Sequence, residues 1–334
     1  MNAPTVTRKD LQTDQDVRWC PGCGDYAILA AVQKALPELG IQRENFAIIS
    51  GIGCSSRFPY YMNTYGMHSI HGRAFPVATG LKVVNPDLSV WVVTGDGDSL
   101  SIGGNHLLHV LRRNVDLNIL LFNNRIYGLT KGQYSPTSEQ GKKTKSTPLG
   151  SVDAPVDPVA FALGAGATFV ARTIDREPKH MVEILKQAEG HRGTSLIEIY
   201  QNCNIFNDGA FEVLTDRATK QDHLLHLTHG EPMVFGRDDQ WGLVADGFAL
   251  KVVEVADVGL DAILRHDERG TPAYHAALDA LRLEGGPTPI GVIRSVERST
   301  YDADVNAQVA GALDAKGPGN LQALLRGRDT WTVA

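Results

Sequence analysis

An α/β fold with a mostly parallel central sheet covered by helices is predicted by two observations. Short, almost wholly apolar β-prone runs alternate with helical segments between residues 26 and 200, the pattern of strands buried on both faces. Several of those runs also deliver glycines or asparagines at their carboxyl ends, where ligands collect in open parallel sheets.

The first element is a helix over residues 26–39, YAILAAVQKALPEL, which follows the turn-prone WCPGCGD; Asp25 is placed to cap its first turn. FAIIS at 46–50 and VWVVT at 90–94 read as strands, ending in Gly51 and Gly95. A helix between residues 103 and 113 leads into LNILLF at 117–122, a strand that ends at Asn123 and Asn124. PVAFALGAG then reads as helix, TFVA as strand, residues 178–189 as helix and SLIEIY at 195–200 as strand. Residues 128–157 are rich in Gly, Pro, Ser, Thr and Lys and read as a long ordered loop of functional rather than core character.

After a second break at 204–221, MVFG, GLVADG, ALKVVEV and PIGVIRSV read as short strands, with helices near 274–283 and 304–313. The expected division is a main domain over 1–215 and a smaller C-terminal region over 216–334, packed on the main domain and possibly on a partner subunit. No internal repeat is present.

The composition of the 334 residues narrows the functional classes. With 43% hydrophobic and 21% charged residues and a net charge of −6, the chain can bury a core and lacks the basic excess of nucleic-acid binders. No stretch is suited to spanning a membrane, and the first sixteen residues hold no apolar signal core, so a cytoplasmic location is expected. In a reducing compartment the four cysteines are better candidates for metal ligands, redox groups or core residues than for structural disulfides.

Cys20-Pro21-Gly22-Cys23 brings two sulfurs together around a tight turn, and Cys54 and Cys203 each follow a strand that could converge on the pair. Four thiolates suit either one tetrahedral zinc or a [4Fe-4S] cube. A cluster tied to strand ends of a large α/β domain would lie beside a reaction centre, which favours electron transfer over stapling. The second constellation is Gly95-Asp96-Gly97-Asp98 with Asn123-Asn124 across one strand–helix–strand unit. A carboxylate and an amide oxygen at successive strand ends suit Mg²⁺, and small glycines admit the oxygens of a diphosphate. Asp98 reads as a solvated turn or cap residue rather than a second metal ligand. The absence of GxGxxG argues against a dinucleotide site.

Through WCPGCG, GIGCSSRFPYYMNTYGMHSIHGR, VVTGDGDSLSIGGNH, LLFNNRIYGLTKGQYSPTSEQGKKTKSTPLG and EIYQNCNIFNDGAF, the first two thirds of the chain resembles the β subunit of 2-oxoacid:ferredoxin oxidoreductases, especially the 2-oxoglutarate type. That resemblance implies thiamine diphosphate, Mg²⁺ and one [4Fe-4S] cluster, with CoA as cosubstrate. It implies cluster ligation by Cys20, Cys23, Cys54 and Cys203, and Mg²⁺ ligation by Asp96, Asn124 and the carbonyl of Ile126. Ile52, Gly53, Cys54 and Ser55 match the strip along the cofactor, and His71, Gly95, Gly97, Gly128 and Leu129 are further expected contacts.

The reaction implied is interconversion of 2-oxoacid, CoA and two oxidised ferredoxins with acyl-CoA, carbon dioxide and two reduced ferredoxins. Pyruvate or a branched-chain 2-oxoacid is the alternative substrate, and a zinc-stapled, non-catalytic subunit the alternative role. The glutamate that activates thiamine is implied to belong to a partner α subunit in an (αβ)2 heterotetramer, with ferredoxin as electron partner.

His71 is the expected acid, base or cofactor contact, with His68 a weaker candidate; packing is the expectation for His106 and His109. Arg57 and Arg73 suit the second carboxylate of 2-oxoglutarate. Lys131 is expected to face substrate or CoA, while Lys142, Lys143 and Lys145 read as a solvated basic rim. The strip 64–80 reads as a covering loop with Tyr60, Tyr61, Tyr65 and Tyr134 packed beneath the loops.

Overall fold

Five apolar runs become fully paired strands because both of their faces are covered. In the computed structural model, which describes residues 6–331 and 333, they are β1 (Phe46–Ser50), β3 (Ser89–Gly95), β4 (Leu117–Asn123), β5 (Phe169–Ile174) and β6 (Thr194–Tyr200). β2 (Tyr65–His68), β7 (Leu224–His226) and β11 (Thr288–Ser295) complete an eight-stranded sheet of order β2-β1-β3-β4-β6-β5-β11-β7. Its pairings are parallel except β11 with β5.

Alternate residues of each strand divide between two apolar layers. Ile48, Trp91, Leu120, Phe122 and Ile197 face one side, where α1 (Asp25–Glu38) and α6 (Pro178–Gly190) pack. Ile49, Val92, Ile119, Leu121 and Leu196 face the other, beneath α2 (Ala74–Val84), α4 (Gly104–Arg113) and α5 (Pro158–Gly164). The period of two therefore places each strand in a three-layer sandwich. Local chemistry sets the helix ends: Asp157 accepts hydrogen bonds from the N–H groups of Val159 and Ala160 ahead of Pro158, and Asn114 closes α4 in the left-handed region at φ 55°.

Asp25 does not cap α1. It is the first helical residue, Gly24 holds the cap position without a side-chain bond, and the carboxyl is buried. The strip 64–80 is also more regular than expected, since it contains β2 and most of α2. β2 shows no burial pattern because it is an exposed edge strand. Pro76 and Gly80 hide α2 from periodicity; a proline in a first turn lacks only an N–H that would go unpaired there.

The short helix α3 (Asp96–Leu100) follows β3 directly, and α7 (Glu212–Thr215) and α8 (Lys220–His223) occupy the second break. β8 (Val234–Phe235), β9 (Trp241–Asp246) and β10 (Ala249–Glu254) form a separate antiparallel sheet, followed by α9 (Val255–Val258), α10 (Pro272–Ala280), α11 (Tyr301–Lys316) and α12 (Leu321–Arg326). The segment beyond residue 215 thus contributes β7 and β11 to the main sheet. Among the described residues, no helix is long and apolar enough to cross a membrane. Residues 1–5, 332 and 334, part of the expected leader-free terminus and of the tail, lie outside the described residues.

A buried ion network ties that segment to the central strands. Arg172 on β5 is fully buried and donates from Nε to Glu198 Oε2 at 2.6 Å, from Nη2 to Asp279 Oδ1 at 2.7 Å and from Nη1 to the Pro289 carbonyl at 3.3 Å. Removing the guanidinium leaves Glu198 buried without a cation and Asp279 with only Arg282 Nε, at 3.5 Å. Arg172→Met is therefore expected to lower the stability of the chain by about 3–5 kcal/mol, measured by urea unfolding.

Candidate active site

Four adjacent parallel strands, in the order β1-β3-β4-β6, deliver the candidate residues from their carboxyl ends: Gly51 to Ser55, Gly95 to Asp98, Asn123 to Gly128, and Gln201 to Cys203. Two cavities open there. Every residue expected along the cofactor, from Ile52 to Leu129, lines one cavity of about 80 Å³. All four cysteines line a second of about 210 Å³. Cys54, Asn124, Gly128 and Leu129 belong to both linings and form a common wall.

The cysteines meet because the turn carrying Cys20 and Cys23 is fastened to the segment carrying Cys203. Asn204 Nδ2 donates to the Pro21 carbonyl at 2.7 Å, and Gly24 N–H donates to the Asn202 carbonyl at 3.2 Å. Gly22 turns at φ 83°, where a Cβ would also lie 2.9 Å from Asn204 Nδ2, so glycine is required twice over. Trp19 Nε1 donates to the Cys54 carbonyl at 2.6 Å and pins the turn to the end of β1. The sulfurs of Cys54 and Cys203 lie 3.5 and 3.6 Å from the point where a Gly128 side chain would begin.

All four thiols are free. Burial, then the neighbouring Asp25, raises the Cys23 thiol and pushes Cys54 up to about 12. Among the described residues no three His, Cys, Asp or Glu side chains are arranged to hold a single metal ion. All four sulfurs line one cavity, the placement that a cluster with a thiolate at each metal corner requires. Asp25 lines the same cavity; its Oδ2 is buried without a partner, and burial pushes the carboxyl up to about 7.

In the smaller cavity the donor set is that of a hard cation. Asp96 is buried and its Oδ2 accepts hydrogen bonds from Ser135 Oγ at 2.5 Å and Thr137 Oγ1 at 2.6 Å. Burial pushes it up to about 6 despite those hydroxyls, and among the described residues it forms no ion pair. Asn124 Oδ1 accepts from the Ile126 N–H at 3.1 Å, and among the described residues the Ile126 carbonyl accepts no hydrogen bond. A buried carboxylate without a protein cation, an amide oxygen and an unused carbonyl fit Mg²⁺. The long loop 128–157 owes its order to this place, because its Ser135 and Thr137 reach inward to Asp96.

Asp98 is neither a solvated turn residue nor exposed. Its Oδ1 accepts from the N–H groups of Ile52 at 3.1 Å and Gly72 at 2.8 Å, and its Oδ2 from Thr94 Oγ1 at 2.8 Å. It latches the end of β1, the turn carrying His71 and the end of β3 together. A Cβ on Gly51 would lie 1.8 Å from Asp98 Oδ2. Gly51→Ala must displace that latch, and is expected to cost about 1–3 kcal/mol of stability and to weaken thiamine diphosphate binding, read by unfolding and by cofactor titration.

The substrate-side candidates separate. His71 lines the smaller cavity, its Nδ1 2.8 Å from Asp98 Oδ1 but out of line for a hydrogen bond. Arg57 and Lys131 line the cysteine cavity. Arg73 lines neither, and donates from Nη1 to His106 Nε2 at 2.7 Å. His68 Nδ1 lies 2.8 Å from the Ser56 carbonyl and 3.0 Å from Ser50 Oγ, a structural role. Lys142 is no bare rim residue, since it bonds Glu139 and Asn207. Of the four tyrosines expected beneath the loops, Tyr61 is buried against Trp19, Tyr134 bonds Asp153, and Tyr60 and Tyr65 are exposed.

Sequence reasoning missed Tyr127, whose hydroxyl donates to the Gly97 carbonyl at 3.0 Å on the wall of the smaller cavity, and Gln201, which no local pattern marks.

The family model for the thiamine pyrophosphate enzyme C-terminal TPP binding domain matches residues 51–199, the segment that carries this smaller cavity. The chain is 56% identical over 329 residues to the 2-oxoglutarate oxidoreductase subunit KorB of Mycobacterium tuberculosis, covering 97% of this chain and 88% of that protein. It is 37% identical to the β subunit of 2-oxoacid:ferredoxin oxidoreductase 2 of Aeropyrum pernix, over 83% and 93% of the two chains. Among solved structures, a 2-oxoglutarate:ferredoxin oxidoreductase from Magnetococcus marinus with 2-oxoglutarate, coenzyme A and succinyl-CoA bound matches with a TM-score of 0.75 and 34% identity, over 96% of this chain and 95% of that one. With two strand-end cavities sharing one wall and relatives of this extent, the chain belongs to the β-subunit family of the 2-oxoacid:ferredoxin oxidoreductases.

Proposed function

We propose that this chain is the β subunit of a CoA-dependent 2-oxoglutarate:ferredoxin oxidoreductase, interconverting 2-oxoglutarate, CoA and two oxidised ferredoxins with succinyl-CoA, carbon dioxide and two reduced ferredoxins. The observation that carries the reading is the common wall: residues fitted to Mg²⁺ and a diphosphate adjoin four thiols fitted to one [4Fe-4S] cluster. Choice of 2-oxoglutarate rests on the named relatives in Mycobacterium tuberculosis and Magnetococcus marinus.

Thiamine diphosphate, when bound, supplies the carbanion chemistry of decarboxylation, and a [4Fe-4S] cluster accepts electrons singly. The chain's own residues hold and orient. Asp96, Asn124 and the Ile126 carbonyl would hold Mg²⁺; Cys20, Cys23, Cys54 and Cys203 would hold the cluster; and Asp98 keeps Ile52 and the His71 turn in register along the cofactor. Arg57 and Lys131 place positive charge at the mouth of the cysteine cavity, where an anionic substrate, CoA or ferredoxin approaches.

The smaller cavity, about 80 Å³, is below the roughly 300–1,000 Å³ of closed small-molecule pockets and reads as half of a site. Ile70 and Ile102, exposed by 70% and 61%, form an apolar rim beside His71 that an α subunit would cover while contributing the activating glutamate. A cytoplasmic (αβ)2 heterotetramer completes the reading; the expected division near residue 215 bounds no separate sheet, since β7 and β11 beyond it extend the main one. It is tested by ferredoxin reduction in the αβ complex purified without oxygen: 2-oxoglutarate with CoA should support turnover well above pyruvate, and a preference for pyruvate would overturn the substrate assignment.

A further inference from the structure

We infer that Gln201 is a positioning residue that joins the cluster to the metal–diphosphate site through one side-chain amide; this rests on the cofactor reading above. Gln201 follows β6 directly, and its backbone N–H donates to the Asn123 carbonyl at 3.0 Å, so its side chain stands beside Asn124. It is 1% exposed and its carboxamide is fully engaged. Oε1 accepts from Asn124 Nδ2 at 2.9 Å, while Nε2 donates to Cys23 Sγ at 3.3 Å and to the Asn202 carbonyl at 2.6 Å.

Backbone chemistry fixes the direction of this chain. The Ile126 N–H can only donate, so the Asn124 atom that it meets is Oδ1 and the atom facing Gln201 is Nδ2. Gln201 must then present oxygen to Asn124 and nitrogen to Cys23. The Asn202 carbonyl, which can only accept, requires the same orientation independently. One amide thereby holds Asn124 with its oxygen toward the cation site and directs an N–H at a cluster sulfur. Hydrogen bonds to sulfur raise a cluster's reduction potential by stabilising the more negative reduced state, and outer-shell partners set ligand orientation.

Two substitutions separate the functions. Gln201→Glu keeps an oxygen for Asn124 but replaces the sulfur donor with a carboxylate, and Gln201→Met retains the length and removes both bonds. In the αβ complex purified without oxygen, iron and sulfide content, cluster potential by EPR-monitored titration and thiamine diphosphate affinity by fluorescence are measured. Gln201→Glu is expected to lower the cluster's reduction equilibrium about tenfold, 59 mV for one electron, with affinity for the cofactor near the unsubstituted complex. Gln201→Met is expected to lower the potential less, and to weaken thiamine diphosphate and Mg²⁺ binding by about tenfold. Unchanged potentials in both variants would overturn the inference, as would parallel losses of potential and affinity in both, the pattern of general loosening. Loss of iron from both would also overturn it, because four thiolates and not Gln201 hold the cluster. An unsubstituted complex without iron would instead reject the cofactor reading itself.

Discussion

Replacing Cys54 with serine is expected to remove the cluster and end electron transfer, with ferredoxin reduction falling beyond the roughly 10–100-fold cost of an outer-shell change at a metal site. Cys54 is the choice among the four because it stands on the wall between the two cavities, directly after the β1 strip that carries Ile52 and Gly53. Its carbonyl is also the acceptor that Trp19 uses to hold the Cys20–Cys23 turn, a bond that a serine backbone preserves. Serine therefore tests the sulfur and not the fold. Visible absorption and iron analysis of the αβ complex read the cluster, and an unaltered iron content with normal ferredoxin reduction would remove Cys54 from the ligand set.

Asp96→Asn is expected to have the complementary effect: affinity for Mg²⁺ and thiamine diphosphate falls by at least about 100-fold, the upper end of outer-shell effects, while the iron content stays unchanged. Asn preserves an oxygen that Ser135 and Thr137 can donate to, so the loop 128–157 keeps its anchor. What disappears is the negative charge that burial makes costly in the absence of a cation. Asp96 lines the smaller cavity and not the cysteine cavity, which is why the two losses should separate. Isothermal titration with thiamine diphosphate and Mg²⁺, beside iron analysis of the same preparation, makes the comparison.

These contrasts show what can be read from the chain in advance. The strands at 46–50, 90–94, 117–122 and 195–200 were legible because burial on both faces makes them continuously apolar, and their terminal glycines, asparagines and cysteines carry local chemical signatures. β2 was not, since an exposed edge strand of four residues shows neither alternation nor an apolar run. Nor could local pattern place β11 antiparallel to β5, with β7 beyond it, because that pairing joins segments more than a hundred residues apart. At the site, Asp98 and Gln201 escaped for the same reason. A carboxylate in a glycine turn reads as solvated until Ile52, Gly72 and Thr94 close on it, and a glutamine after a strand is unremarkable until Asn124 and Cys23 flank it.

In the proposed enzyme a thiamine diphosphate site and a single cluster adjoin in this subunit, so that substrate oxidation feeds the cluster directly. The most direct test is a single-turnover experiment on the αβ complex purified without oxygen, with iron, sulfide and thiamine diphosphate quantified, and with 2-oxoglutarate and CoA added in the absence of ferredoxin. The expected result is about four irons and four sulfides per β chain, bound thiamine diphosphate, and reduction of the cluster, seen by EPR, on addition of substrate. One zinc without iron, or an intact cluster that stays oxidised while the cofactor site is filled and substrate is present, would contradict it.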